Sequence, residues 1–163
     1  NDVQTGKRTV LVNTGLEPNT MIVSYDVHLA LKRHPLIKDR FKYTSSESIT
    51  EAMLARFFEV DRYVVAKSVY ATDEEMETQT HTGAFAIGKH CLLIHLNGDP
   101  SIMTPTAAAI FVWSGLTGVN DTGTRIDQFY DDDKKEDVVR GEFAFDMKVT
   151  GSDLGYFFST AVA

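Results

Sequence analysis

The chain predicts an α+β fold. Three observations carry this. Helical spacing and helix-cap signals crowd into the N-terminal part, two-residue alternation dominates the rest, and the strict strand–helix alternation of a wound parallel sheet is missing. With 163 residues, 43% hydrophobic and 24% charged, the composition is ordinary for a globular protein, and the chain is long enough to bury a core without disulfide staples. Length suggests one domain, or one domain with a small lobe. We read residues 1–163 as a single fragment, with helix over about 1–14 and a mixed α+β region over 15–163.

Val3 to Thr14 reads as a short helix or the tail of a longer one, and Gly15 supplies the left-handed stop. Pro18-Asn19 is a turn signal, and Thr20 to Val23 makes a brief strand. Ser24 is a good N-cap, with Asp26 in the first turn, where the helix dipole favours acid. Val27, Ala30 and Leu31 repeat at helical spacing until Pro35 closes the segment. Ser48 to Glu51 fits a capping box, and Ile49, Met53 and Phe57 form the apolar stripe of the helix behind it. Arg62 to Tyr70 is a β-branched and aromatic strand, and Asp73 to Thr82 is an acidic surface loop.

Strands then take over. His90 to Leu96 and Thr106 to Trp113 are two of them, and 116–124 is turn-forming. Arg125 to Tyr130, the charged run 131–137 and the stretch Val138 to Val149 form a hairpin with a charged tip. That last stretch is the most informative in the chain. Val139, Phe143, Phe145, Met147 and Val149 occupy odd positions; Arg140, Glu142, Asp146 and Lys148 occupy even ones. Side chains on a strand alternate faces, so the pattern predicts a long half-buried strand with one dry side and one charged side. Asp153 to Phe158 predicts an aromatic ending that docks on the body of the fold.

Charge and cysteine content narrow the functions. With 16 Lys and Arg against 23 Asp and Glu, the net charge is −7, and the basic residues form no run. Nucleic-acid binders gain affinity by neutralising phosphates, so specific nucleic-acid binding is not expected. The apolar stretches fall far short of the ~20 residues of a membrane-spanning helix. The single cysteine, Cys91, excludes an internal disulfide and a multi-cysteine zinc site. The chain opens on Asn1-Asp2 without Met, which reads as a processed product or excised fragment.

Each candidate for chemistry meets a blander reading. Gly83 to Lys89 has the glycine and lysine spacing of a phosphate-cradling loop, but His90 stands where Ser or Thr should hold magnesium, and a strand pattern follows where a helix should. His90, Cys91 and His95 suggest metal ligands. On a strand the two histidines point to opposite faces, while Cys91 and His95 stand ~13 Å apart, too far to share one zinc. Histidines satisfied at a sheet edge or interface are the expected alternative. The acidic run 131–137 lacks the glycine and closing glutamate of a calcium loop and reads as a solvated hairpin tip. Gly151-Ser152 has no marked base beside it. We therefore expect no catalytic, cofactor-binding or metal-binding residues, no cofactor and no enzymatic activity. A small α+β binding module or metal-dependent hydrolase, resting on the His90-Cys91-His95 cluster, is the contrasting possibility.

An ordered set of segments resembles the major capsid proteins of tailed bacteriophages and prophages. It comprises Glu17 to Val23, Val27 to Pro35 with its Leu-x-x-His-Pro ending, Ile49 to Phe57, Val60 to Tyr70, Gly88 to His90, Thr104-Pro105, Phe111 to Gly115, and Asp153 to Val162. No single segment is specific; their order along nearly the whole chain is. The resemblance implies the α+β tailed-phage capsid-type fold shared with encapsulins, here truncated. The N-terminal arm, the extended loop and most of the spine helix would be absent, residues 1–14 would be the end of that helix, and 15–163 would be mixed peripheral and axial region. It implies a structural subunit of an icosahedral head that self-assembles into capsomers enclosing DNA. Its partners would be copies of itself in hexameric and pentameric capsomers, with scaffold or decoration proteins. It implies location in the virion, and in the bacterial cytoplasm before assembly. An encapsulin-like compartment shell is the alternative within that fold.

Overall fold

The computed structural model of the protein describes residues 2–41, 49–72, 83–99, 101–113, 115 and 123–162. In chain order its elements are helix α1 (Asp2–Thr14), strand β1 (Thr20–Ser24) and helices α2 (Tyr25–Arg33), α3 (Pro35–Phe41) and α4 (Glu51–Phe58). Strands β2 (Arg62–Ala66), β3 (Val69–Ala71), β4 (Gly83–Phe85), β5 (Cys91–Ile94) and β6 (Ala108–Val112) follow. Then come β7 (Thr124–Asp131), β8 (Glu136–Phe143), β9 (Phe145–Val149), a 3-10 turn at Ser152–Leu154, and β10 (Gly155–Phe158). The class is the mixed α+β predicted. The chain forms two compact units, Asn1–Ala107 with Gly151–Ala163, and Ala108–Thr150.

The helix boundaries follow local chemistry. Gly15 takes the left-handed conformation (φ 72°) and donates to the Leu11 carbonyl at 2.8 Å, ending α1 as expected. Ser24 caps α2, its Oγ accepting from the Val27 N–H at 3.3 Å. Pro35 does more than stop α2: it opens α3, a helix absent from the sequence-based expectation. A proline has no N–H to lose in the first turn and its fixed φ suits a helix start. His34, extended before it, accepts from the Ile37 and Lys38 N–H groups at 3.1 and 3.0 Å. The cap of α4 is Thr50 rather than Ser48, with the Met53 N–H donating to Thr50 Oγ1 at 3.4 Å. Ile49 therefore lies outside the helix, though still packed on the core. Ser48 itself and the loop over 73–82 lie outside the described residues, as does 116–122.

In the larger unit four strands form a sheet in the order β10-β5-β1-β2, with β1 parallel to β2 and the other pairs antiparallel. The register places Met21 opposite Leu93 and Tyr63, and Val23 opposite Cys91 and Val65. Directly opposite residues share a face, so these side chains build one wall, with Tyr156 and Phe158 of β10 on the same side. Val27, Ile37 and Leu54 from three helices close over it. The opposite wall is thinner. Ile22, Leu92 and Ile94 meet Leu16, Ala107 and Leu154 there, while Val64 and Phe157 remain exposed.

Two contacts fasten α1 to this body. A Cβ at Gly6 would come within 2.9 Å of the Phe158 ring and 3.1 Å of Tyr156, so the helix approaches β10 only because that position carries no side chain. Lys7, next along, is 7% exposed. Its ammonium donates to the Phe58 and Glu59 carbonyls at 3.2 and 2.8 Å and pairs with Glu17 at 3.0 Å. Helix α4 ends in a Schellman turn, with Glu59 left-handed (φ 54°) and the Val60 N–H donating to the Ala55 carbonyl. The Phe58 and Glu59 carbonyls at this negative helix end are the groups Lys7 satisfies.

The strand expected over Arg62 to Tyr70 is two strands. After Ala66 the chain leaves β1, and β3 pairs instead with β4 as a separate two-stranded ladder. The strands expected at His90 to Leu96 and Thr106 to Trp113 are shorter than their apolar runs, since ladder pairing covers only Cys91–Ile94 and Ala108–Val112.

In the smaller unit β7 pairs with β8 over eight residue pairs, and β6 pairs with β9 over five. The predicted long strand is present but changes partner at Ala144. The Ala144 N–H donates to the Gly123 carbonyl at 2.8 Å, and its own carbonyl accepts from the Trp113 N–H at 3.0 Å. Gly123 is left-handed (φ 71°), and a Cβ there would lie 2.6 Å from Val112 and 2.8 Å from the Ala144 carbonyl oxygen, so this junction requires glycine.

Replacing Lys7 with Met keeps the stem but removes the ammonium, leaving two helix-end carbonyls without their donor. Urea denaturation should show a loss of roughly 1.5–3 kcal/mol, the range for charge-assisted hydrogen bonds. A Lys7→Met protein as stable as wild type would show that water replaces the lysine.

Candidate functional site

The residues singled out from the sequence as possible chemistry are brought together only in part. Strand β5 places Cys91 in the core, 3% exposed. Burial pushes its thiol up to about 12, far from the thiolate that a nucleophile or metal ligand needs. His90 and His95 flank this strand. The His90 ring packs against Phe157 at 5.2 Å between centroids, and its Nδ1 accepts from the Thr160 N–H at 3.1 Å. The His95 Nδ1 makes a 2.8 Å hydrogen bond with the Glu17 carbonyl oxygen. The expectation of satisfied histidines at a sheet edge or interface holds for their hydrogen bonds and needs correcting for the edge. β5 lies between β10 and β1, so the two histidines sit at the ends of an interior strand, each tied to a neighbouring backbone. Among the described residues no three His, Cys, Asp or Glu side chains gather in a way that could hold a metal ion.

Gly83 to Lys89 runs from β4 into a turn and on to β5, with Gly88 left-handed (φ 60°). A phosphate cradle needs a helix N-terminus at this point, and a strand stands there instead. At the acidic hairpin tip, the Asp131 carboxylate accepts from the Asp133 and Lys134 N–H groups at 3.0 and 3.3 Å. Lys134 pairs with Glu136 at 3.9 Å. The carboxylates serve the turn. Ser152 is exposed and begins the 3-10 turn, where its carbonyl accepts from the Gly155 N–H.

Buried and half-buried polar residues that carry no sequence signal for chemistry serve architecture as well. Asn19, on sequence only a turn residue, donates from Nδ2 to the Leu96 carbonyl at 2.8 Å and accepts at Oδ1 from the Leu96 N–H at 3.0 Å. Its side chain thus behaves like one more strand residue between β1 and the end of β5. His28, 8% exposed, lies 3.2 Å from the Tyr63 hydroxyl through Nδ1. Burial first, then the nearby charge of Lys32, holds its pKa below the usual histidine value, and burial also raises that of Tyr63.

The surface of the smaller unit carries the most unusual feature. On β8 and β9 the odd positions Val139, Phe143, Phe145, Met147 and Val149 are 66, 71, 51, 68 and 70% exposed. The sequence pattern predicted this apolar face correctly and its burial incorrectly: among the described residues each ladder has two strands, and neither supplies a layer to lie against it. Cross-strand pairing adds Ile110 opposite Met147, Val112 opposite Phe145, and Ile126 opposite Gly141 to the same exposed side. A shallow hollow of about 300 Å³ opens over Ile110, Met147 and Val149. The even positions form the wet side. There Asp127 accepts from Arg125 at 2.9 Å and from Arg140 at 3.2 Å, and Arg140 pairs with Glu142 at 3.3 Å. The Arg125 hydrogen bond, reinforced by Arg140, holds the Asp127 carboxyl below the usual carboxylate range.

No protein-family model matches the chain. It is 26% identical over 157 residues to the major capsid protein of Burkholderia phage BcepMu, a match covering 96% of this chain and 48% of that protein. It is also similar to the crystal structure of a phage-related protein from Bordetella bronchiseptica RB50, with a TM-score of 0.82 and 26% identity, covering 98% of this chain and 50% of that one. The chain therefore spans about half the length of the relatives it matches.

Two buried groups give direct tests. Cys91 should stay unreactive toward a disulfide reagent at neutral pH in the folded protein and react fully once unfolded; rapid reaction of native protein would contradict its burial. His28 has its pKa lowered from 6.5 by folding, so the unfolded state binds its proton first as pH falls. Stability should drop as pH falls below about 6.5 and level off below the folded pKa. His28→Gln should remove this component from the urea midpoints, and an unchanged pH profile in the variant would assign the dependence to other groups.

Proposed function

We propose that this chain, a relative of a phage major capsid protein, is part of a structural subunit of a phage head. The observation that carries the proposal is the agreement of two matches over nearly its whole length: 26% identity across 96% of the chain to a phage coat protein, and a TM-score of 0.82 to a phage-related structure. The role is structural and non-enzymatic. The side chains first suspected of chemistry fit that role, since His90, His95, Cys91 and Asp131 are each engaged in packing or backbone hydrogen bonds.

In its finer form the proposal is a tailed-phage capsid-type fold, of the kind shared with encapsulins, with α1 as the end of a spine helix and residues 15–163 as mixed peripheral and axial region. The arm, the extended loop and the rest of the helix would fall in the part of the relatives' length that this chain does not span. Copies of the subunit would form hexameric and pentameric capsomers in a shell that encloses DNA, together with scaffold or decoration proteins. The product would reside in the virion, after assembly in the host cytoplasm. A ring of this kind closes through head-to-tail contacts, and many modest contacts add up in a multivalent shell. Neighbouring genes separate a phage head from a compartment shell: portal, protease and terminase genes mark the first, a cargo-enzyme gene the second.

Electron microscopy of the protein from its complete reading frame should show closed shells or capsomer rings. Monomers persisting under every assembly condition would overturn the capsid reading.

A further inference from the structure

We infer that Asn97 is a site of spontaneous covalent modification, where the side-chain amide closes on the Gly98 nitrogen and water opens the ring to aspartate or isoaspartate. The step balances with water as its one co-reactant. The Gly98 nitrogen gives up its proton and bonds to the Asn97 side-chain carbonyl carbon. Ammonia leaves with that proton, and a five-membered succinimide remains. Water adding at one ring carbonyl restores the ordinary main chain with an aspartate side chain. Adding at the other, it leaves the main chain running through the side chain, as isoaspartate. Nothing is oxidised or reduced.

The fold treats Asn97 differently from Asn13 and Asn19, the other asparagines among the described residues. Asn13 lies in α1, where the following N–H points along the axis into the helical ladder. Asn19 has both ends of its amide engaged: Nδ2 donates to the Leu96 carbonyl at 2.8 Å, and Oδ1 accepts from the Leu96 N–H and the Thr20 hydroxyl, each at 3.0 Å. Both also precede a β-branched threonine, which crowds the attacking nitrogen. Asn97 lacks these protections. It is exposed, lies beyond the last ladder residue of β5, and is followed by glycine. A Cβ built on Gly98 would meet nothing within 4 Å, so its nitrogen is open to approach. Among the described residues nothing accepts from the Gly98 N–H. The Asp99 N–H donates to Asn97 Oδ1 at 3.3 Å, an Asx turn that folds the amide back over the Gly98 peptide. That donor faces the oxygen on which negative charge gathers as the ring closes.

The change falls where the loop closes. There the Asn97 N–H donates to Thr106 Oγ1 at 3.3 Å, and the Ala107 N–H donates to the His95 carbonyl at 2.9 Å. Isoaspartate adds a methylene to the main chain at this closure, and either product places a new negative charge near Asp99. Beyond it, the turn joining Ser101 and Thr104 holds Ile102 and Met103 outward, both exposed. A longer main chain at Asn97 therefore re-aims an apolar tip.

The test is incubation of the folded 163-residue protein in warm, mildly alkaline buffer, followed by peptide mapping that separates aspartate from isoaspartate. The Asn97 peptide should convert to both products while the Asn13 and Asn19 peptides stay intact. The rate should rise with pH, since the nitrogen attacks only after losing its proton. Gly98→Ala fits the open space and the backbone at that position, which is not left-handed, and should slow conversion by roughly tenfold or more. Asn97→Gln keeps the amide but would have to close a six-membered ring, and should stay unmodified over the same period. Circular dichroism checks that both variants keep the fold; should Gly98→Ala lose it, Asn97→Gln and the pH dependence carry the test. Asn97 left intact in the folded protein would overturn the inference, whatever the unfolded chain does. So would conversion at Asn13 or Asn19 as fast as at Asn97, or a folded Gly98→Ala protein that converts at the wild-type rate.

Discussion

Strand β1 is held on both edges, parallel to β2 and antiparallel to β5, and this pairing is the constraint on which the larger unit depends. A strand with two partners cannot slip by one residue without turning every side chain to the other face. Met21 and Val23, 2% and 0% exposed, would then leave the helical side and Ile22 would enter it. Asn19 guards the register from the N-terminal end. Its backbone N–H donates to Ile94, its carbonyl accepts from Asp61 and Arg62, and its side chain holds both polar groups of Leu96. Pinning β1 at that point makes the wall of Met21, Val23, Tyr63, Cys91 and Leu93 a single surface, and three helices have one place to go.

The helices are then secured by polar contacts at their ends as much as by apolar packing. Lys7 links α1 to the close of α4, where a left-handed Glu59 sits in a conformation that costs a residue with a side chain roughly 1–2 kcal/mol. Two hydrogen bonds from an ammonium to the carbonyls at that turn offset the cost, and Glu17 keeps the cation paired. Lys7 and His28, both buried, and the half-buried Asn19 act as ties.

Much of this is legible locally. Gly15 and Ser24 act where a stop and a cap are expected, because these signals depend on the few residues beside them. The charged tip between β7 and β8, the docking of Gly155–Phe158 and the mixed α+β class follow for the same reason. The misses share a different cause. Pro35 carries one signal with two meanings, an end and a beginning. Ser48 and Thr50 are both capping residue types two positions apart, and composition does not tell which of them opens the helix. The breaks at Ala66 and Ala144 are changes of partner, invisible in a pattern that records alternation but no neighbour. An edge position for the histidines beside Cys91 fails because nothing local says that Gly155–Phe158, distant in the chain, pairs along that strand. The ordered segments that resemble coat proteins are visible in the sequence, and the match to the Burkholderia phage protein bears that resemblance out.

By itself the sequence determined the periods: which stretches curl, which extend, and which side of each strand is dry. It did so because alternation and capping are properties of consecutive residues. Tertiary structure alone decided what each dry side meets. Met21 and Val23 on β1 alternate with their neighbours just as Phe145, Met147 and Val149 do on β9, yet the first face lies under three helices and the second stands open. Burial is a relation between two surfaces, and the second surface is not written in the strand itself.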